Sequence, residues 1–407
     1  MDPRSDRFPL MDSLRGIAAL MVLAVHTAAL AGALGPGAAV QPYVPRLEAA
    51  FTIFFVVSGF LIYRPFVRAR LRGEPPPMRI RAYGWRRFLR VVPAYWVALT
   101  AVTIWLGLGG VFTFDGILIY YGFAQVYRDA WTEGGLPQGW TLSVEVAYYS
   151  LLPLYVLVMQ RVRTTDLARR MRIELIGAFT LIAASFAWIA YHVLLGDNVL
   201  SYSPVPVLSA LPGYLDHIAM GMALAVVSCW LAERDRDPGF VRLIDRWPSL
   251  SWGVAAIAFV VAAQVMPSTP AELYSESQYL LRHVFNSIIA IGLILPAIFG
   301  DSQRGVIRRI MANRVLLYLG LISYGFYLFH YAVILQLSRW DWGDHAFVHP
   351  YLHWFFTALV GSVILGSLSY YLVERPALSL KRLVRARRTP AEQDALAEPA
   401  PAAPSAL

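Results

Sequence analysis

The chain has 407 residues, of which 57% are hydrophobic and only 15% are charged. Its mean hydropathy of +0.52 excludes a soluble globular protein and predicts a polytopic membrane protein. The net charge of +9 does not indicate nucleic-acid binding, because the arginines stand in short blocks between apolar runs, as in cytoplasmic loops. Cys229 is the only cysteine, which excludes an internal disulfide.

The apolar runs predict an all-α polytopic membrane fold. Ten long runs lie near 10–30, 48–66, 89–108, 141–159, 173–195, 207–231, 249–266, 279–299, 314–337 and 352–373. The first could be a cleavable signal peptide, but its length and its polar residues favour a spanning helix. A weaker run lies at 111–127. The basic blocks and the poorly charged loops fall on opposite sides of the membrane only if this run does not span it. We therefore predict about ten transmembrane helices, both termini in the cytoplasm, and a re-entrant segment at 111–127.

The domain organisation follows from the same pattern. Residues 1–380 are predicted to form one transmembrane domain. Residues 381–407 are predicted to be a cytoplasmic tail that is first basic and then disordered, because its end is rich in Ala, Pro and acidic residues.

The first apolar run contains ionisable residues on one helical stripe. Arg15 and His26 are 11 residues apart, within about 20° of three full turns and roughly 16 Å along the axis, and Asp12 lies within about 40° of them. Arg15 could simply snorkel to the inner interface. A packed, hydrogen-bonded histidine is the alternative for His26, although ionisable groups inside a membrane are functional by default.

Glu145, in the run 141–159, is predicted to lie at the same depth as His26, each about 6–7 Å below the outer end of its helix. A carboxylate beside an imidazole raises its basicity and fixes its tautomer, as a general base requires. The pair is therefore a candidate catalytic dyad, with a structural buried pair as the alternative.

Three further groups of polar residues stand out. Ser323, Tyr327 and His330 share a helical face, and His330 is either structural support or a substrate contact. Asp216 and His217 are expected nearer the middle of the membrane and are weaker candidates for site residues than His26, Glu145 and His330. The range 64–90 holds nine arginines, and much of this enrichment is the positive-inside bias of cytoplasmic loops. Three of them cluster at the start of the third helix: Arg86, Arg87 and Arg90. Together with Arg15, this cluster could bind the phosphates of an anionic donor.

In these residues the chain resembles the acyltransferase-3 family of integral membrane acyltransferases, from Asp12 to Pro376. The matching motifs are Arg-x10-His, FFVVSGFLI, RRFLR, WTLSVEVAYY, SYGFYLFH and VERP. Two features depart from many members: Val146 stands where a second acidic residue often follows the glutamate, and the chain carries no SGNH-type domain.

The resemblance implies O-acyl transfer, often of acetyl, from cytoplasmic acyl-CoA to a glycan, lipid-linked sugar or macrolide hydroxyl, in a bacterial inner (plasma) membrane. It implies catalysis by His26, acyl-CoA contact or support of the fold by Arg15, and acyl-CoA binding by Arg86, Arg87 and Arg90. The residue patterns add Glu145 as the catalytic partner of His26 and predict a supporting set: Asp12, Ser58, Tyr327 and His330. Acyl-CoA is then a co-substrate, and no cofactor, metal or nucleic acid is expected beyond substrates and membrane lipids.

A transporter of a small anion or lipid-linked sugar is the alternative from another class, because carriers also use intramembrane Arg, His and Glu. The chain shows no inverted repeat, which disfavours this function. The aromatic stretch 338–354 could stack on sugar rings, but interfacial Trp and Tyr are equally expected at a membrane surface.

Overall fold

A computed structural model describes residues 8–31, 41–128, 131–132, 134–196, 200, 206–234, 238–268, 272–301, 304–340, 342 and 350–383. These residues form helices and turns and no strand, which confirms the all-α prediction. The ten long helices are α1 Pro9–Leu30, α2 Ala49–Arg72, α3 Ile80–Leu106, α4 Trp140–Arg161, α5 Leu167–Leu194, α6 Leu215–Ala232, α7 Pro248–Val265, α8 Glu276–Ile298, α9 Arg314–Arg339 and α10 Pro350–Ser369.

All ten helices are long and apolar enough to cross a bilayer, which confirms the predicted number of spans. The protein is therefore a multi-pass membrane protein. Arg4, Arg7 and the part of the predicted tail after residue 383 lie outside the described residues. The cytoplasmic position of both termini stays a prediction.

The arginine-rich range 64–90 is mostly helical. Helix α2 continues to Arg72 and ends at Gly73, whose left-handed backbone (φ 75°) is a common helix stop, and α3 begins only seven residues later at Ile80. Arginine is a good helix former, and its long stem packs along apolar surface while its head stays in a polar zone. All the arginines of this range except Arg79, which precedes α3, therefore lie on helices.

The segment 111–127 contains no long helix. It consists of a helical turn Phe114–Gly116, a π turn Ile117–Tyr121 and a 3-10 turn Gln125–Tyr127. The Tyr95 hydroxyl donates a hydrogen bond to the carbonyl of Tyr120 at 3.0 Å. Tyr95 lies about 16 Å from the Leu106 end of α3, so the segment turns back along that helix. Its re-entry into a membrane stays a prediction.

The apolar run 207–231 is interrupted near its start. A short helix Pro206–Ser209 and a 3-10 turn Leu211–Gly213 precede α6, which begins at Leu215. Pro212 and Gly213 account for the break, because neither residue favours a helix interior. Asp216 and His217 therefore lie in the first turn of α6, and their expected mid-membrane depth stays a prediction.

Close backbone packing fixes the position of α1. At Gly320 of α9, an added Cβ would lie 1.9 Å from the carbonyl oxygen of Asp12, so only glycine permits this approach. The two helices run parallel, and ten residues beyond Gly16 and Gly320 stand His26 and His330, both about 15 Å further along. This crossing thus brings two histidines from distant parts of the chain to one level.

Candidate active site

A cavity of about 890 Å³ opens between α1, α2, α3, α4 and α9. Its basic lining residues are Arg15, Arg86, Arg87, Arg90, Lys381 and Arg382. Thr141 and Tyr327 also line it, and Thr141 lies about 12 Å along α4 from Tyr149, which faces Arg87. The cavity therefore extends from an arginine-rich region toward the level where α4 begins.

Two arginines of α3 hold unsatisfied donors. The Nε atoms of Arg86 and Arg87 are buried, and neither has a hydrogen-bond partner among the described residues. The Arg87 guanidinium lies 6.0 Å from the ring centroid of Tyr83 and 5.7 Å from that of Tyr149. Aromatic faces position a cation without satisfying its N–H groups. The arrangement suits an anionic ligand that accepts several hydrogen bonds, such as a phosphate.

Arg90 is held in place by Glu374. Its Nη1 lies 3.6 Å from Oε2 of Glu374, and Oε1 of that carboxylate accepts the Gly325 N–H at 3.1 Å. The Tyr324 ring lies 5.8 Å from the guanidinium, and its hydroxyl donates to Val91 O at 2.8 Å. Arg90 is therefore a fixed wall of the cavity rather than a free donor.

Asp12 and Arg15 both line the cavity from α1. Asp12 is exposed and Arg15 is partly exposed. Three carboxylates lie close enough to attract the Arg15 charge, those of Asp12, Glu145 and Glu374, and Arg90 lies close enough to repel it. Arg15 thus joins the arginines of α3, as the sequence predicts.

Glu145 lines the cavity, but its contacts differ from the prediction. Its Oε1 accepts hydrogen bonds from Ser58 Oγ at 2.7 Å and from the Tyr149 hydroxyl. It makes no hydrogen bond to His26, so the expected contact between the two side chains was wrong, while a catalytic role of Glu145 stays a prediction. The reason is the order of helices: α1 packs on α2 and α9, and α2 in turn packs on α4, so Ser58 of α2 meets Glu145 first.

The partner of His26 is His330. His26 Nδ1 lies 2.8 Å from His330 Nε2, with ring centroids 5.0 Å apart and planes inclined by 13°. His330 Nδ1 lies 2.6 Å from the backbone carbonyl of Tyr327, and His330 is fully buried.

Donor and acceptor chemistry fixes the tautomers of this pair. A carbonyl oxygen only accepts, so His330 Nδ1 carries the proton. With both rings neutral, His330 Nε2 is then an acceptor and His26 Nδ1–H donates to it. His26 Nε2 keeps a free lone pair, and no described residue donates a hydrogen bond to it. His330, rather than Glu145, is therefore the residue that orients the His26 ring in this structure.

Tyr327 connects the cavity with the histidine pair. Its side chain lines the cavity and its hydroxyl donates to Gln138 O at 2.9 Å, while its backbone carbonyl holds His330. The Phe54 ring packs against it at 5.9 Å between centroids. His26 and His330 are not part of the cavity wall, and His26 is partly exposed beyond it.

Several residues of the site were missed from the sequence. Tyr149 stands one turn after Glu145, and this i, i+4 spacing was a readable signal. Lys381 and Arg382 line the cavity, although sequence analysis placed them in the tail. Gln138 fixes the carbonyls of Tyr327 and Leu328 through its side-chain amide, at 3.2 and 2.8 Å, and carried no recognisable signal.

Comparisons with known proteins agree with this architecture. The family model named acyltransferase 3, described as "Acyltransferase domain", matches residues 9–372. "Nodulation protein 10" of Rhizobium leguminosarum bv. viciae is 25% identical over 358 residues, covering 83% of each chain. No solved structure matches the chain significantly.

Two longer relatives carry enzyme names. A protein of Bacillus subtilis (strain 168) named "Putative peptidoglycan O-acetyltransferase" is 23% identical over 90% of this chain and 54% of its own length. One of Staphylococcus aureus (strain COL) named "Putative O-acetyltransferase" is 23% identical over 90% and 57%. The chain spans just over half the length of these two relatives. With ten spans, the histidine pair and the match over 9–372, the chain belongs to the acyltransferase-3 family of multi-pass membrane acyltransferases.

Proposed function

We propose that the protein transfers an acyl group of about acetyl size from cytoplasmic acyl-CoA to a hydroxyl of a glycan, a lipid-linked sugar or an antibiotic such as a macrolide. The observation that carries this proposal is the pair of arginines whose buried Nε atoms have no partner among the described residues, Arg86 and Arg87, in a cavity whose wall residue Tyr327 holds the histidine pair. An anionic donor and a basic imidazole are the two requirements of such a transfer.

The donor end is assigned by charge. Arginine-rich ends of spans face the cytoplasm, so the basic end of the cavity and both termini are placed there, with the bacterial inner membrane as the location. The phosphates of CoA would lie against Arg86, Arg87 and Arg90, with Arg15, Lys381 and Arg382 adding positive charge. A cavity of about 890 Å³ has the size of a cofactor site.

Glu145 is assigned to the donor arm rather than to His26. Its carboxylate and the Ser58 hydroxyl stand side by side in the cavity wall. The pantetheine arm carries amide groups, which require one acceptor and one donor each. Glu145 also offsets positive charge near Arg15. This role differs from the catalytic one that the sequence indicated.

The chemistry is assigned to His26. Its free Nε2 takes the proton of the acceptor hydroxyl while the oxygen attacks the thioester carbonyl. The ester forms, the C–S bond breaks, and the CoA thiolate receives the proton from the imidazolium. His330 accepts from Nδ1–H and stabilises the imidazolium in between. Transient acylation of His26 is the second route open to an imidazole, and the geometry allows both.

The acceptor is assigned by class alone. The partly exposed side of His26 lies beyond the cavity wall, so the acceptor reaches it from a different direction than the donor. The printed name of the Bacillus relative refers to peptidoglycan, and a sugar hydroxyl is the functional group that this chemistry requires.

The test uses membrane vesicles, radiolabelled acetyl-CoA and candidate acceptors, and compares the native chain with His26→Ala at equal protein levels. Label in lipid or glycan from the native chain alone supports the proposal. His192→Ala is the matched control, because His192 lies on α5 away from the cavity wall.

Release of free CoA is measured in parallel with a thiol reagent. The single cysteine of the chain, Cys229, is buried and contributes little background. Equal labelling by native and His26→Ala chains would remove His26 from the mechanism. Absence of thioester consumption by the native chain, with donors and acceptors supplied, would instead favour the transport of a small anion or lipid-linked sugar.

A further inference from the structure

A second group of ionisable side chains lies outside the cavity. Asp216 and His217 of α6 converge with His283 of α8, and one donor atom from each residue lies within 4.8 Å of the others. All three side chains are buried. We propose that this cluster binds a divalent transition-metal ion, with zinc as the preferred ion, in a structural role that is independent of acyl transfer.

The donor atoms have the spacing of an ion site. Asp216 Oδ2 lies 3.2 Å from His283 Nδ1 and 3.5 Å from His217 Nε2. Zinc binds nitrogen and oxygen at about 2.0–2.2 Å, so two ligand atoms of a tetrahedron are about 3.4 Å apart. The two imidazole centroids are 5.1 Å apart, near the distance of about 5 Å for rings that share one tetrahedral ion.

The charge of Asp216 requires a partner that the neighbouring arginine does not supply. Asp216 is fully buried, and a buried carboxylate is paired with a cation or coordinates a metal. Arg282 stands beside His283 in sequence, but its Nε and Nη2 donate to Glu48, at 2.9 Å each, so its charge is already paired with another carboxylate. An ion held by Asp216 and the two imidazoles supplies the missing positive charge.

His217 gives independent evidence. Its side chain is fully buried, and neither of its ring nitrogens has a hydrogen-bond partner among the described residues. A buried polar atom without a partner costs about 1–3 kcal/mol. Its Nε2 faces the carboxylate at a contact distance that is too long for a good hydrogen bond and suitable for a shared ion.

The surroundings indicate a structural ion rather than a catalytic one. Ser185 Oγ of α5 lies 3.3 Å from Asp216 Oδ1, so the cluster connects three helices. The Tyr214 ring stands between the cluster and the cavity, with its centroid 5.7 Å from that of His283 and 5.4 Å from that of Phe55 in the cavity wall. Three protein ligands leave one coordination position open, as in catalytic zinc sites, and the structural role is assigned because the cluster joins three helices away from the cavity wall.

The test measures the metal content of the full chain, purified in detergent with a tag that contains no histidine. We expect about one zinc per chain for the native protein and less than a tenth of that for Asp216→Asn and His283→Gln. His192→Gln, which alters a histidine outside the cluster, should retain the metal. Zinc at native level in both cluster variants would overturn the proposal.

Cobalt gives a readout that does not depend on the variants folding. Native protein stripped of metal and titrated with Co²⁺ should develop the visible absorption of a tetrahedral ion at one equivalent. The melting temperature should fall by several degrees on stripping and recover with Zn²⁺. If the native chain binds no stoichiometric Zn²⁺ or Co²⁺, the cluster is a hydrogen-bonded Asp–His group only. Acyl-transfer failure would leave this outcome unchanged, because neither readout uses activity.

Discussion

Two arginines of this protein, the buried Arg282 and the partly exposed Arg87, have opposite surroundings. Arg282 of α8 makes two hydrogen bonds of 2.9 Å to Glu48 and is surrounded by aromatic rings. Arg87 of α3 lies between two tyrosine rings, and its buried Nε has no partner among the described residues. A paired guanidinium holds helices together, whereas an unsatisfied one at a cavity is available to a ligand. The pairing of the guanidinium therefore separates the arginine of the scaffold from the arginine of the site.

The largest expected effect follows from breaking the paired side of this comparison. Arg282→Leu leaves Glu48 as an uncompensated buried charge, and removing one partner of such a pair costs about 3–5 kcal/mol. We expect a large fall in thermal stability in detergent. The double variant Glu48→Gln with Arg282→Leu should recover part of the loss. An unchanged melting temperature for Arg282→Leu would contradict the structural role.

His330 is a positioning residue, so its substitution should affect turnover rather than donor binding. His330→Ala removes the acceptor that fixes the tautomer of His26, and we expect kcat to fall about 100-fold with the KM for acyl-CoA nearly unchanged. His330→Gln retains a side-chain acceptor and should be partly active. Steady-state kinetics over a pH series separates this role from a folding defect. An equal loss of kcat in His330→Ala and His330→Gln, with an altered KM for acyl-CoA, would argue against a positioning role of His330.

Arg87→Leu tests the unpaired side of the comparison. A hydrogen bond to a charged group contributes about 1.5–3 kcal/mol, so the KM for acyl-CoA should rise at least about tenfold while the melting temperature stays near the native value. Donor analogues that lack one phosphate identify the contact: the variant should lose its preference for the full donor. A fall in stability equal to that of Arg282→Leu would erase the distinction between the two arginines.

Glu145→Gln should have the smallest effect. Glutamine keeps an acceptor for Ser58 and Tyr149, so we expect a change of less than about tenfold, mainly in the KM for acyl-CoA. A dyad of Glu145 with His26 would instead give a large loss of kcat and a shifted pH profile. This measurement thus decides between the observed contacts of Glu145 and the pairing that the sequence indicated.

The sequence predicted the spans well because hydropathy and charge act locally along the chain. Ten apolar runs became ten long helices, and Arg15 and His26 stood out as ionisable residues in one of them. The prediction of one continuous run at 207–231 failed where Pro212 and Gly213 break the helix, which places Asp216 in the first turn of α6.

The partner of His26 was beyond the reach of the same reasoning. Depth along a helix follows from residue counting, but the neighbours of a helix depend on packing between distant segments. The contact between Gly320 and the backbone of Asp12 selects α9 as the neighbour of α1, and α2 separates α1 from Glu145. Periodicity placed Tyr327 and His330 on one face, yet only the three-dimensional arrangement shows that this face meets His26.

The distance along the chain between the two histidines has a consequence for biogenesis. His26 and His330 are 304 residues apart, so the pair cannot assemble before the ninth helix has left the ribosome. At about 5–20 residues per second, this wait lasts roughly 15–60 s. During that time the first helix must stay inserted while Asp12, Arg15 and His26 lack their α9 neighbours. We therefore expect the nascent first helix to depend on the insertion machinery, and we expect slow translation to increase degradation of the chain.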